Sequence, residues 1–265
     1  MRPPGRPKGE YRGAQPEGTP MTEPEWPWRV LVPGLACDAA VWQPVLQALA
    51  DRARTWVPMG EGHDSIGAMA DALLRDAPAD RFALVGHSLG GRIALEVVRR
   101  APQRVQRLAL LDTGWQPLPA GAAGERECAQ RLALVDLARR EGMRAMGERW
   151  APDMLHPAHI GTRVFDDVLA MVERQSVERF AAQQQALMQR PDATGVLDAI
   201  ACPTLVLCGR EDAWSPLSRH EAMAARIHGA RLAVVEQCGH MSTMEQPRAV
   251  GAALAQWLCD TPTAR

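Results

Sequence analysis

Short apolar runs alternate with amphipathic stretches along most of this chain. Trp28-Arg29-Val30-Leu31-Val32 is a run of buried-strand character that stops at Pro33-Gly34. Asp38 to Ala50 follows with helical spacing and Asp38 as its cap. Thr55 to Met59 reads as a second strand, and Ser65 to Arg75 as a helix with apolar residues at 66, 69, 70, 73 and 74. A third strand covers 82–86, a helix 89–100, and a fourth strand Arg107 to Asp112. Two more strands, 204–209 and 231–236, precede a closing amphipathic helix over 248–258. Strands that alternate with helices predict an α/β fold, a doubly wound and mostly parallel sheet of about six strands.

Two stretches break the alternation. Residues 1–27 hold seven of the 21 prolines, four glycines and the single tyrosine, with almost no aliphatic side chains. Such a segment cannot bury enough apolar surface to offset its ordering entropy, so a disordered tail is expected there, with Met21 an alternative start to Met1. The second stretch, 114–198, has helical periodicity throughout and no strand-like run. It is too long for one crossover helix. Leaving from the carboxyl end of a strand, it is expected to cover the site as a helical lid, its Met143, Met146, Met154, Met171 and Met188 forming lid core and part of an adaptable pocket. The expected organisation is therefore a core of 28–113 and 199–260 with the lid inserted between.

Composition narrows the function classes. The chain has 265 residues, 46% hydrophobic and 23% charged, with a formal net charge of -1. No basic field exists to hold nucleic acid. No apolar run approaches the roughly 18 residues of a membrane helix, and no apolar stretch follows the basic amino terminus as a secretory signal would require. The six cysteines, at 37, 128, 202, 208, 238 and 259, form no C-x-x-C pair and no zinc spacing with histidine. Reduced thiols and a cytoplasmic location are expected.

The chemistry concentrates in Gly86-His87-Ser88-Leu89-Gly90-Gly91, where a serine sits between a buried strand and a helix. A sharp strand-to-helix turn lifts such a hydroxyl to the top of a sheet, and glycines flank it where strand and helix approach too closely for side chains. A nucleophilic serine needs a histidine to take its proton and an acid to orient that histidine. Arg210-Glu211-Asp212 follows the fifth strand, and Gln237-Cys238-Gly239-His240 the sixth, so an acid and a histidine both lie past the carboxyl ends of strands. Glu211 competes with Asp212 as the acid, as does Asp112 at the end of the fourth strand. Trp115, Trp150, Trp214, Met241 and Met244 are apolar residues near the site, candidates for an acyl pocket and equally for core packing.

With Val32-Pro-Gly-Leu-Ala-Cys-Asp38, Gly209-Arg-Glu-Asp212 and Cys238-Gly-His240, the elbow gives residues 28–260 a pattern that resembles the α/β-hydrolase superfamily. The nearest likeness is to the compact lidded group of carboxylesterases, enol-lactonases and carrier-protein methyl esterases. That resemblance implies Ser88 as nucleophile, His240 as general base and Asp212 as the acid, because the family's Gly-x-x-Asp reaches Asp212. It implies an oxyanion hole from the backbone N–H groups of Leu89 and Leu35. It implies no metal, no organic cofactor, and a small-molecule ester as the partner. Pro33-Gly34 stands where many members have His-Gly, so a side-chain hydrogen bond in that loop is expected to be missing. Perhydrolysis and carbon–carbon cleavage are alternatives on the same three residues. A ligand-binding receptor with negligible turnover is an alternative of another class.

Overall fold

The computed structural model describes residues 28–49, 54–58 and 62–259. The expected tail over 1–27, Ala50 at the end of the first helix, and Met59 at the end of the second strand lie outside the described residues.

The chain begins with β1 (Trp28–Val32), a 3-10 turn over Ala39–Trp42, α1 (Gln43–Leu49), β2 (Thr55–Trp56) and α2 (Ile66–Asp76). It continues with β3 (Phe82–His87), α3 (Leu89–Arg100) and β4 (Val105–Leu111). Four helices follow: α4 (Ala122–Trp150), α5 (Arg163–Glu173), α6 (Val177–Met188) and α7 (Thr194–Ala199). The chain then returns through β5 (Thr204–Gly209), α8 (Leu217–Arg226), β6 (Arg231–Val235), the short α9 (Ser242–Glu245) and α10 (Pro247–Cys259).

The six strands form one sheet in the order β2-β1-β3-β4-β5-β6, and every described pairing is parallel. β3 and β5 are buried at every residue, as a sheet covered by helices on both faces requires. Asp38 acts as the expected cap, and Ser65, read as the first residue of its helix, instead caps α2; they accept from the Ala40 and Ala68 N–H groups at 2.8 and 3.2 Å. The first helical stretch nevertheless opens as a 3-10 turn before α1, and β2 is only two residues long. The segment between β4 and β5 is helical, and its longest helix is broken at Gly142, where φ 89° and ψ 168° leave the helical region.

The carboxyl edge of the sheet carries the chain's unusual backbone. Ala36, Ser88, Asp112 and Gln237 are the non-glycine residues with positive φ among those described, and they follow β1, β3, β4 and β6. Each costs of order 1–3 kcal/mol, and such residues gather at functional sites.

Candidate active site

Ser88 occupies the turn between β3 and α3 with φ 53° and ψ -114°. A Cβ on Gly86 would overlap the Gly90 carbonyl oxygen, and one on Gly90 would overlap the Val32 carbonyl oxygen. Only glycine permits helix and strand to meet this closely. The Ser88 N–H bonds to the Leu111 carbonyl at 2.9 Å, and the Thr113 hydroxyl donates to the Ser88 carbonyl at 2.6 Å, so β4 and the loop after it fix the turn.

His240 stands between Ser88 and Asp212. Its Nε2 lies 2.8 Å from Ser88 Oγ and its Nδ1 2.7 Å from Asp212 Oδ2. The other Asp212 oxygen accepts from the N–H groups of Trp214 and Ser215 at 2.9 and 2.7 Å. Both Asp212 oxygens are thus held, one by its own loop and the other by the imidazole. Burial alone would raise the Asp212 pKa, but the His240 charge and hydrogen bond outweigh it and hold the carboxyl below its ordinary value. Burial likewise would lower His240, and the Asp212 charge and hydrogen bond, with Asp112 and Glu245 farther off, hold it above 6.5.

The two competing acids are placed elsewhere. Asp112 is buried beneath the site and accepts from Gly209 N–H at 3.0 Å and from the Ser242 hydroxyl. Its carboxyl is pushed up by burial and by Asp212. Glu211 turns its Oε2 onto the Cys238 N–H at 3.0 Å and so staples the Asp212 loop to the His240 loop. His87, beside Ser88 in the elbow, is buried. Its Nε2 donates to the His240 carbonyl at 2.9 Å, and burial with the neighbouring His240 lowers its pKa to about 4.

Sequence reading missed Glu245. This buried side chain accepts from the N–H groups of Gly239 and Met241 at 3.1 Å each, the two peptides flanking His240. Its other oxygen accepts from His156 N–H at 2.7 Å, and the His240 N–H itself bonds to the Met154 carbonyl at 2.8 Å. The helical segment between β4 and β5 therefore pins the histidine loop from above. A second tie reaches the loop after β1, where the Ala36 N–H donates to Gln183 of α6 at 3.0 Å.

A cavity of about 580 Å³ opens over Ser88 between the sheet edge and this helical segment. Leu35, Leu89, Trp150, Trp214 and Met241 line it. Leu89 opens α3, so its N–H has no acceptor within the helix. Trp115 and Met244 are not in the lining. Trp115 packs into the core in the loop after β4, and Met244 does so on α9. Cys37 reaches the cavity, but burial and Asp38 push its thiol up to about 12, so it is no nucleophile near neutral pH.

A parallel sheet with this elbow defines a class, and the comparisons with known proteins agree. The model of the alpha/beta hydrolase family matches residues 30–253, and the chain belongs to that family. RutD of Yersinia enterocolitica, which carries the name of a carbamate hydrolase, is 30% identical over 89% of this chain and 89% of its own. A pimeloyl-[acyl-carrier protein] methyl ester esterase of Aromatoleum aromaticum is 28% identical, covering 82% of this chain and 92% of its own. Among solved structures, a thermophilic esterase from Thermogutta terrifontis superposes with TM-score 0.77 at 29% identity, covering 87% of this chain and 89% of that one. Among the described residues no helix is long and apolar enough to cross a membrane.

Proposed function

We propose that this protein is a serine hydrolase that cleaves a small carboxylic ester, thioester or lactone through an acyl-enzyme. The observation that carries the reading is the unbroken relay from Ser88 Oγ through His240 to Asp212, with hydrogen bonds of 2.8 and 2.7 Å. An imidazole whose Nδ1–H donates to Asp212 presents a bare Nε2 to the serine hydroxyl, the tautomer a general base needs. The similar proteins are named for esters and carbamates, whose carbonyl chemistry this arrangement suits.

The steps follow from the geometry. His240 Nε2 takes the Ser88 proton as Oγ attacks the substrate carbonyl. The Leu35 and Leu89 N–H groups receive the oxygen as it becomes negative. Asp212 stabilises the imidazolium, which then gives its proton to the leaving alkoxide. Water enters, loses a proton to His240 and attacks the acyl carbon, which frees the acid and restores Ser88. The helices over the cavity act as a lid that excludes bulk water from these steps. No step requires a metal or organic cofactor.

The test is hydrolysis of p-nitrophenyl esters from acetate to dodecanoate by the wild type and by Ser88→Ala. Turnover that disappears in the variant supports the reading, and the preferred chain length sizes the acyl pocket. Absence of turnover on every ester rejects it in favour of carbon–carbon cleavage, perhydrolysis or a receptor role.

A further inference from the structure

The cavity over Ser88 is rich in positive charge. Five arginines line it, Arg92, Arg126, Arg131, Arg190 and Arg219, against the carboxylates of Glu127 and Asp112 alone. Asp112 is committed to the Gly209 N–H and the Ser242 hydroxyl. Glu127 is committed to two of the arginines. Arg131 reaches it at 2.9 and 2.8 Å, and Arg190 at 2.7 and 2.9 Å. Among the described residues, Arg92 and Arg219 make no ion pair, and both guanidinium groups converge on Gly114 in the cavity wall. A Cβ built on Gly114 would lie 3.0 Å from Arg92 Nη2 and 3.3 Å from Arg219 Nη1.

This pair is close to the chemistry. Arg92 is four residues beyond Ser88 on α3, one helical turn or about 6 Å along the axis. One of its Nη atoms is held by the Gln116 carbonyl at 2.9 Å, which leaves the other face of the fork for a ligand. Burial, together with Arg190, Arg219 and Arg131, lowers the Arg92 pKa to about 9. Like charges gathered at a part-buried wall disfavour one another, and an oxyanion placed between them removes that cost.

Resting on the ester-hydrolase reading above, we propose that the substrate carries a second, anionic group, a carboxylate or a phosphate, which Arg92 and Arg219 bind while its ester carbonyl lies over Ser88. The substrate class is then a half-ester of a short dicarboxylic acid or its phosphate counterpart, and Glu127 with Arg131 and Arg190 forms the fixed side of the anion pocket.

Two measurements test this. The first compares kcat and KM for monomethyl and dimethyl esters of the four- to six-carbon dicarboxylic acids, with methyl 3-phosphonopropanoate as the phosphate-like arm. The half-ester should exceed its diester at least about tenfold in kcat/KM through KM, the size of one charge-assisted hydrogen bond. Arg92→Gln and Arg219→Gln should each collapse that ratio towards unity, and Arg219→Lys should restore part of it. A phosphonate preferred to the carboxylates would assign the pocket to phosphate, and the reverse to carboxylate. A diester hydrolysed as well as its half-ester, or variants that leave the ratio unchanged, would overturn the proposal. The second titrates Ser88→Ala with monomethyl adipate by calorimetry and needs no turnover. Binding lost in Arg92→Gln supports the anion site even if the wild type hydrolyses no ester, an outcome that would reject only the ester reading. No binding to Ser88→Ala would overturn the anion site.

Discussion

At the scale of single residues, His240, the proposed general base, faces several carboxyl groups. Asp212 touches it, and Asp112 and Glu245 add to the same field, so its pKa stands above 6.5. A base works only when neutral. With the folded pKa raised, protonation removes activity as pH falls through a midpoint above 6.5, and kcat/KM should drop about tenfold per unit below it. Asp212→Asn should move that midpoint down and cost about 10⁴ in kcat, since the imidazole loses both its charge partner and the acceptor that fixes its tautomer. Asp112→Asn separates the two acids. Its carboxyl touches Gly209 and Ser242 rather than the imidazole, so it should cost about 1–3 kcal/mol of stability, read in denaturant, and far less in kcat. A pH–rate profile for wild type and both variants checks the midpoints and the rates, and denaturant unfolding of Asp112→Asn checks the stability.

At the scale of elements, the strands and the elbow were legible because their signals are local. β5 falls where the apolar run Thr204–Gly209 predicts it, and the Gly86 and Gly90 requirement follows from one turn. β2 ends earlier than its apolar pattern suggests, with Pro58 beyond it unable to donate to a ladder. Trp115 and Met244 look like pocket residues because they flank the site in sequence, but side-chain direction within a loop or a single helical turn carries no periodic signal. Glu245 was invisible for a different reason. Its partners are the peptides beside His240 and a peptide 89 positions away at His156, a contact that only the tertiary fold brings together. Gln183 on Ala36, 147 positions apart, is the same case, and it supplies from α6 the support that the loop after β1 lacks without a histidine. Glu245→Gln turns an amide donor towards the His156 N–H and should destabilise the fold by about 1–3 kcal/mol, measured by urea unfolding. Gln183→Leu leaves the Ala36 N–H unpaired beside Leu35. It should lower kcat with little change in KM, by less than the roughly 10²–10³ that losing an oxyanion donor costs.

At the scale of the whole molecule, the segment between β4 and β5 and the sheet beneath it share one set of buried polar groups, and acid should disturb both. His220 on α8 shows how. Its Nε2 accepts from the Thr113 N–H at 3.0 Å, and its Nδ1 lies 3.3 Å from the Pro216 carbonyl, to which it donates. Both positions are satisfied only by the neutral ring. Burial lowers its pKa from 6.5 to about 4, against the opposing pull of the Pro216 carbonyl and Asp212. Between those two values the unfolded chain binds a proton at this site that the folded chain refuses, so His220 subtracts stability as pH falls from 6.5 towards 4, at about 1.4 kcal/mol per unit. Protonation would set N–H against N–H at Thr113, whose hydroxyl holds the Ser88 carbonyl at 2.6 Å. Loss of global stability should therefore begin as pH falls below 6.5, and loosening of the Ser88 turn, which needs the folded ring protonated, should follow only near pH 4. His220→Gln keeps an acceptor for Thr113 but has no proton to gain. Chemical denaturation of the wild type and this variant at half-unit steps from pH 7 to 4 should give a stability slope shallower by one proton in the variant. Identical slopes would mean that His220 titrates in the folded protein as it does in water.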